Sequence, residues 1–295
     1  MDLKSYLEQA RQRVDAALER YLPADTGSGT LLEAMRYSLF AGGKRLRPIL
    51  CLAGAEAVGG ESGPVMFCAC ALEMIHTYSL VHDDLPAMDD DDLRRGVPTN
   101  HTVYGDGMAV LAGDALLTEA MVLLTDPAAY GGLDPVKVLA AARTVMRAAG
   151  LQGMVMGQAA DLEAENQEPE LATVQFIHSL KTGALLTASV VSGGILAGGE
   201  PEQVAGLRRY GRRVGLAFQI ADDLLDLEGD AQRLGKATGM DATRGKMTYP
   251  GVVGPGPARE TGWRLVDEAA AIAEALGPGA EPLARLARYI MERTN

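Results

Sequence analysis

Cysteine is scarce in this chain: Cys51, Cys68 and Cys70 are all there is. The count is odd, and the spacing matches neither a zinc site nor a disulfide framework. The three thiols read as small buried hydrophobes in a reducing compartment. Positive charge is in deficit, with a formal net charge of −12, which argues against a general nucleic-acid binder. It leaves anionic substrates open, because local basic clusters or metal ions override the global sign. Long hydrophobic runs are missing as well. The most apolar stretch, ALLTASVVSGGILAGG at 184–199, is too short and too glycine-rich to span a bilayer. The first residues are charged throughout and lack the apolar centre of a signal peptide. A cytoplasmic chain with no stable membrane anchor is expected.

What is present is a globular balance, 47% hydrophobic and 22% charged over 295 residues, and a strong helical period. Leu3, Leu7, Ala10, Val14, Leu18 and Leu22 recur at three- and four-residue steps, the mark of an amphipathic helix. Stretches rich in Gly and Pro at 23–30, 58–64, 125–135, 197–202 and 276–282 separate further segments of helical period, none with a convincing two-residue alternation. The reading is an all-α fold of about ten to twelve helices in a single domain, 1–295. The long irregular stretch at 228–257 is the kind of loop that carries function in a compact domain.

Two acidic clusters stand out. HDDLPAMDDDDLRRG, from His82 to Gly96, carries Asp83, Asp84, Asp89, Asp90, Asp91 and Asp92. The apolar helix before it ends at Asp83, because Pro86 opposes regular continuation. The chain must therefore fold back if Asp83 and Asp89 are to share a cation. Asp90, Asp91 and Asp92 suit surface or capping work. The second cluster, FQIADDLLD, carries Asp222, Asp223 and Asp226 within an apolar run. Asp222 and Asp226 are one helical turn apart, so both carboxylates share a face, about 6 Å apart. Enclosed carboxylates are costly without a cation between them. Mg2+ suits them, since it takes oxygen ligands and often shares them with substrate phosphates. An EF-hand is excluded by its missing loop pattern, and a glycosidase pair would not need six carboxylates.

Basic residues stand close by in sequence. Gly42 and Gly43 let the chain turn ahead of Lys44, Arg45 and Arg47. Arg94 and Arg95 follow the first acidic cluster, Lys181 and Thr182 interrupt an apolar helix, and Lys236 and Lys246 lie in the long loop. Direct donors opposite a metal ion are what a diphosphate requires. His76 lies seven residues before Asp83, two turns along the same face.

Together, GGKRLRP, EMIHTYSLVHDDLPAMDDDDLRRGVPTNH, GDALLTEA, GQAADLEAE, LKTGALL, FQIADDLLD, GKATGMDATRGKMTYP and ARYIMER resemble the trans-isoprenyl diphosphate synthases, or polyprenyl synthetases, in their bacterial farnesyl diphosphate synthase form. The resemblance covers nearly the whole chain. It implies a fold of long helices around a central cavity, a homodimer, and three Mg2+ ions, or Mn2+, at each active site. Asp83 and Asp89 would then bind metal with Asp84 in support, and Asp222 opposite them with Asp223 and Asp226 mainly in the outer shell. Lys44, Arg47, His76 and Arg95 would hold isopentenyl diphosphate. Arg94, Lys181 and Lys236 would grip the allylic diphosphate, and Thr182 and Gln219 would line the reacting carbons.

Tyr78 and Ser79, one turn or so before Asp83, are the expected floor of the tail cavity. In this family an aromatic there, with the longer DDLPAMD spacing, accompanies short products. Farnesyl diphosphate is therefore expected, with geranyl or geranylgeranyl diphosphate as the alternative. A terpene cyclase would not need the cluster Lys44, Arg47 and Arg95, and a non-catalytic partner subunit typically loses one acidic motif.

If the long loop closes over substrate through Lys236, Lys236→Ala is expected to lower turnover or substrate affinity in steady-state kinetics. Unchanged values would remove the lid role.

Overall fold

The structure is a computed structural model that describes residues 2–24, 27, 29–168, 170–228 and 246–292. Among these residues it is almost wholly helical, with twelve helices of seven or more residues and three shorter ones. The first helix, α1 (Leu3–Tyr21), buries Ala10, Val14, Ala17 and Leu18, the stripe read from its period. Its N-terminus is capped by Asp2, which accepts the Ser5 amide at 3.0 Å. Then follow α2 (Gly29–Leu39), α3 (Leu46–Ala57) and α4 (Met66–Asp83). Helix α4 is buried almost all round, which places it at the centre and not on a face. Cys51, Cys68 and Cys70 are free thiols in this core.

The chain continues through the short α5 (Asn100–Tyr104), α6 (Asp106–Thr125), the single turn α7 (Pro127–Tyr130), α8 (Pro135–Ala149), α9 (Met154–Ala164) and α10 (Leu171–Ile177). A wider π-helical turn at His178–Gly183 joins α10 directly to α11 (Ala184–Leu196). After α12 (Pro201–Glu228) come the short α13 (Tyr249–Val253), α14 (Pro255–Leu276) and α15 (Glu281–Glu292). Helix α4 packs on α6, α11 on α3, α8 and α12, and α14 on α12 and α15.

The apolar run at 184–199 turns out to be part of a longer element. Leu171–Leu196 forms one 26-residue helix, long and apolar enough to cross a membrane by length and composition, as is Asp106–Thr125. The apolar run by itself leaves out the helical residues 171–183, which carry Lys181 and Thr182 and join it through the π-turn. Residues 184–196 are almost wholly buried against protein. Their glycines serve close packing: a Cβ on Gly193 would collide with the Cys51 carbonyl of α3.

One device was not foreseen from the pattern. Leu93–Arg94 and Val97–Pro98 pair as a minimal antiparallel hairpin. Its two tip residues, Arg95 and Gly96, both have positive φ, at 56° and 79°, as a tight type I′ turn requires. Arg95 thus adopts a left-handed conformation that costs a side-chain-bearing residue about 1–2 kcal/mol. The hairpin directs both arginines back toward α4 and the 42–47 loop.

Candidate active site

The site grows from the end of α4. The Asp89 amide donates to the Asp83 carbonyl at 2.8 Å, and the amides of Asp90 and Asp91 reach the Leu85 and Asp84 carbonyls at 3.1 and 3.2 Å. Pro86 breaks the helix, and these bonds fold the chain back on it. The return needed to bring Asp89 back toward Asp83 is therefore made by main-chain bonds. Burial first, then the charge of Asp89, push the Asp83 carboxyl up to about 6, against the pull of Lys181. Burial likewise raises Asp84. Its two oxygens both accept from Arg94 Nε, at 2.6 and 2.9 Å. Lys246 Nζ donates to Asp89 Oδ1 at 2.9 Å, linking residues 157 apart in the chain.

A cavity of about 390 Å³ opens beside α4, the π-turn and α9. Arg47, His76, Asp83, Lys181 and Thr182 supply its polar groups, and Met88, Met154, Val155 and Leu162 give it an apolar lining. Tyr78 and Ser79 also line it, as the sequence spacing requires. Tyr78 is held edge-on to His82, with ring centroids 5.8 Å apart.

Lys181 has the partner that an apolar helix face demands, Asp161 Oδ2 at 2.6 Å. The backbones meet so closely that a Cβ on Gly157 of α9 would strike the Lys181 amide. Asp161 and Gln158 are site residues that sequence reasoning passed over. The signal was GQAADLEAE, in which Gln158 and Asp161 stand three residues apart on one helix.

Opposite lies a cationic group. The Arg95 guanidinium donates to the Gly42 carbonyl and fills the space where a Gly43 side chain would sit. Gly42 and Gly43 turn with φ of 90° and 129°, so the two glycines both make the turn and admit the arginine. Burial pulls Arg47 down to about 10, still charged at neutral pH. Burial, then Arg47, Arg95 and Arg94, hold His76 well below the ordinary imidazole range. Arg47 Nε and His76 Nδ1 are buried without a partner among the described residues. Such groups are expensive unless a ligand meets them, and the surrounding charge selects an anion.

Arg45 belongs to the scaffold. It bonds Glu73 at 2.8 Å, Asp15 at 2.8 Å and the Leu39 carbonyl at 2.8 Å. Breaking so buried a pair costs about 3–5 kcal/mol.

From α12, Asp223 and Asp226 are 4% and 7% exposed, and Asp222 is half-buried. Among the described residues no three His, Cys, Asp or Glu side chains converge on one point. The donors offered are carboxylate oxygens, hard ligands that suit Mg2+ or Mn2+, with water and substrate oxygens completing the shell. An enclosed Asp83 that resists ionisation fits such an ion, whose charge would reverse the shift. Lys236 lies outside the described residues.

The sequence model of the polyprenyl synthetase family matches residues 28–262. The chain belongs to the polyprenyl synthetases. It is 48% identical over 295 residues to a dimethylallyltranstransferase of Fischerella ambigua, covering all of this chain and 84% of that one. It is 46% identical over 300 residues to geranylgeranyl pyrophosphate synthase 11 of Arabidopsis thaliana, covering all of this chain and 83% of that one. Among solved structures, an apo FPP/GFPP synthase of Zymomonas mobilis superposes with a TM-score of 0.87 at 40% identity, over 98% of both chains. A geranyltransferase of Legionella pneumophila gives 0.86 at 31% identity, over 99% of this chain and 97% of that one. The all-α isoprenoid synthase fold and short-chain prenyltransferase activity follow.

Asp83→Asn removes a carboxylate that burial penalises. With the folded value raised to about 6, the wild type's relative stability is full below about 4 and is lost as pH rises through 6. The metal-free variant is expected to melt higher than wild type at pH 8 and equally at pH 4. A difference independent of pH would refute the assignment.

Proposed function

We propose that this prenyltransferase condenses isopentenyl diphosphate with dimethylallyl and geranyl diphosphates to yield farnesyl diphosphate. One observation carries the reading. A single cavity pairs unpartnered, buried Arg47 and His76 atoms with an apolar lining closed by Tyr78. That is the shape of a charged head with a hydrocarbon tail.

Lys44, Arg47, His76 and Arg95 hold isopentenyl diphosphate, His76 as a neutral donor. Arg94 and Lys181, with Lys236, hold the allylic diphosphate. Asp83, Asp89 and Asp222 would hold Mg2+, with Asp84, Asp223 and Asp226 behind them. Three ions, or Mn2+ in their place, would neutralise the diphosphate and ease its departure. Arg94 and Lys181 stabilise charge on the leaving group as the allylic C–O bond breaks. Thr182 and Gln219 face the cation while the isopentenyl double bond attacks it. The proton then leaves to the released diphosphate, and the apolar lining excludes water.

Geranylgeranyl diphosphate is the second reading. It rests on relatives such as the Arabidopsis synthase, which are about as similar as any named for a shorter product. A homodimer is supported by the apolar side chains exposed along α6, among them Val110, Leu111 and Val122. Cytoplasmic residence fits three reduced thiols, and one catalytic domain over 1–295 fits the continuous core.

Purified protein with Mg2+, isopentenyl diphosphate and dimethylallyl diphosphate is expected to give a fifteen-carbon product by chromatography. Tyr78→Ala is expected to shift it to twenty carbons or longer. A twenty-carbon product from wild type would favour the second reading, and an unchanged distribution in the variant would remove Tyr78 as the floor.

A further inference from the structure

The two aspartates that open the second acidic cluster are differently employed. Asp223 Oδ1 accepts Gln219 Nε2 at 3.0 Å. Asp223 Oδ2 accepts the Tyr249 amide at 2.8 Å and lies 3.4 Å from His178 Nε2. Two hydrogen bonds and an adjacent imidazole crowd this carboxylate, which leaves little of it for a metal ion.

A carboxylate only accepts, so the Gln219 amide must turn its nitrogen to Asp223. Its oxygen then faces Thr182, whose hydroxyl donates to Gln219 Oε1 at 2.9 Å. That bond spends the only proton of Thr182, and the hydroxyl's remaining lone pairs are left for the cavity that Thr182 lines. With Gln219 flipped, Thr182 would accept from it and aim its proton at the cavity, the wrong polarity beside a cation. A charge at the far end also polarises each bond in the chain.

His178 faces the same carboxylate. It is 5% exposed, and its Nδ1 has no partner among the described residues. Its Nε2 faces Asp223 Oδ2 at 3.4 Å. It stands on the π-turn four residues before Thr182 and stacks near Tyr249, centroids 6.4 Å apart. The widened turn sets His178 and Thr182 against α12 together.

We propose that Asp223, held by His178 and the Tyr249 amide, is a positioning residue that fixes the Thr182 hydroxyl with its oxygen toward the allylic cation. This rests on the prenyltransfer reading above. The test compares Asp223→Asn, His178→Phe and His178→Gln with Asp222→Asn, using isopentenyl and geranyl diphosphates. Metal affinity is read separately from Mn2+ binding by electron paramagnetic resonance. Asp223→Asn is expected to lower kcat about tenfold or more, with KM values and Mn2+ affinity within about twofold. His178→Phe is expected to follow in the same direction, and His178→Gln, which keeps a donor, to recover most of kcat. Asp222→Asn is expected to weaken Mn2+ binding instead. If Asp223→Asn fails to fold, the two His178 variants decide.

Weakened Mn2+ binding in Asp223→Asn, with kcat restored at saturating metal, would overturn the relay. So would a His178→Phe enzyme of normal kcat. A wild type that transfers no prenyl group would overturn the prenyltransfer reading and the relay with it. An active wild type with unaffected variants overturns the relay alone.

Discussion

The structure turns on charge that burial will not tolerate alone. Asp83 and Asp89 are brought together by main-chain bonds that hold whatever the side chains' ionisation, and burial then resists the negative charge of Asp83. Against them, Arg47 and His76 hold donor atoms that nothing in the described protein satisfies. Each group could have been neutralised by the other, had the fold let them meet. Instead Arg94 is spent on Asp84 and Lys246 on Asp89, while Arg47 and His76 face the cavity. On the proposed reading, a metal-bound diphosphate would bring a cation to Asp83 and an anion to Arg47 and His76.

Such an arrangement needs rigid support, and the scaffold provides it through close backbone contacts more than through large side chains. Small residues let α3 meet α11 and let α9 meet the π-turn at Lys181. The buried Arg45–Glu73 pair ties the 42–47 loop to α4. The type I′ hairpin returns Arg94 and Arg95 across the gap. The π-turn interrupts an otherwise regular helix at His178–Gly183, the segment that bears Lys181 and Thr182. Irregularities of this kind gather where side chains must be aimed.

What the sequence made legible follows from its periods. The stripe of α1 and the apolar helix that ends at Asp83 were readable because helical repetition is local. So was the pairing of Tyr78, Ser79 and His76 with Asp83, since one helix carries all four. Asp161 and Gln158 were not readable, because they enter the site only through the crossing of α9 with the π-turn. The hairpin escaped notice because four strand residues are too few to show an alternation. The return of Asp89 was legible only as a requirement, because loop closure depends on main-chain bonds to a helix end that no residue pattern encodes. The scaffold role of Arg45 was not legible in GGKRLRP, because its partner Glu73 lies 28 residues away in the chain. The apolar run at 184–199 was measured by its apolar residues alone, so the helical residues before it, which carry Lys181 and Thr182, were left out of its length.

The central claim is that carboxylates and basic groups form one site, completed jointly by metal and diphosphate. Calorimetric titration of the wild-type chain with inorganic diphosphate, with and without Mg2+, tests it most directly. The account predicts weak binding of either alone and at least tenfold tighter binding of diphosphate when Mg2+ is present, since each supplies the charge the other's residues lack. Equal diphosphate affinity in the presence and absence of Mg2+ would contradict it.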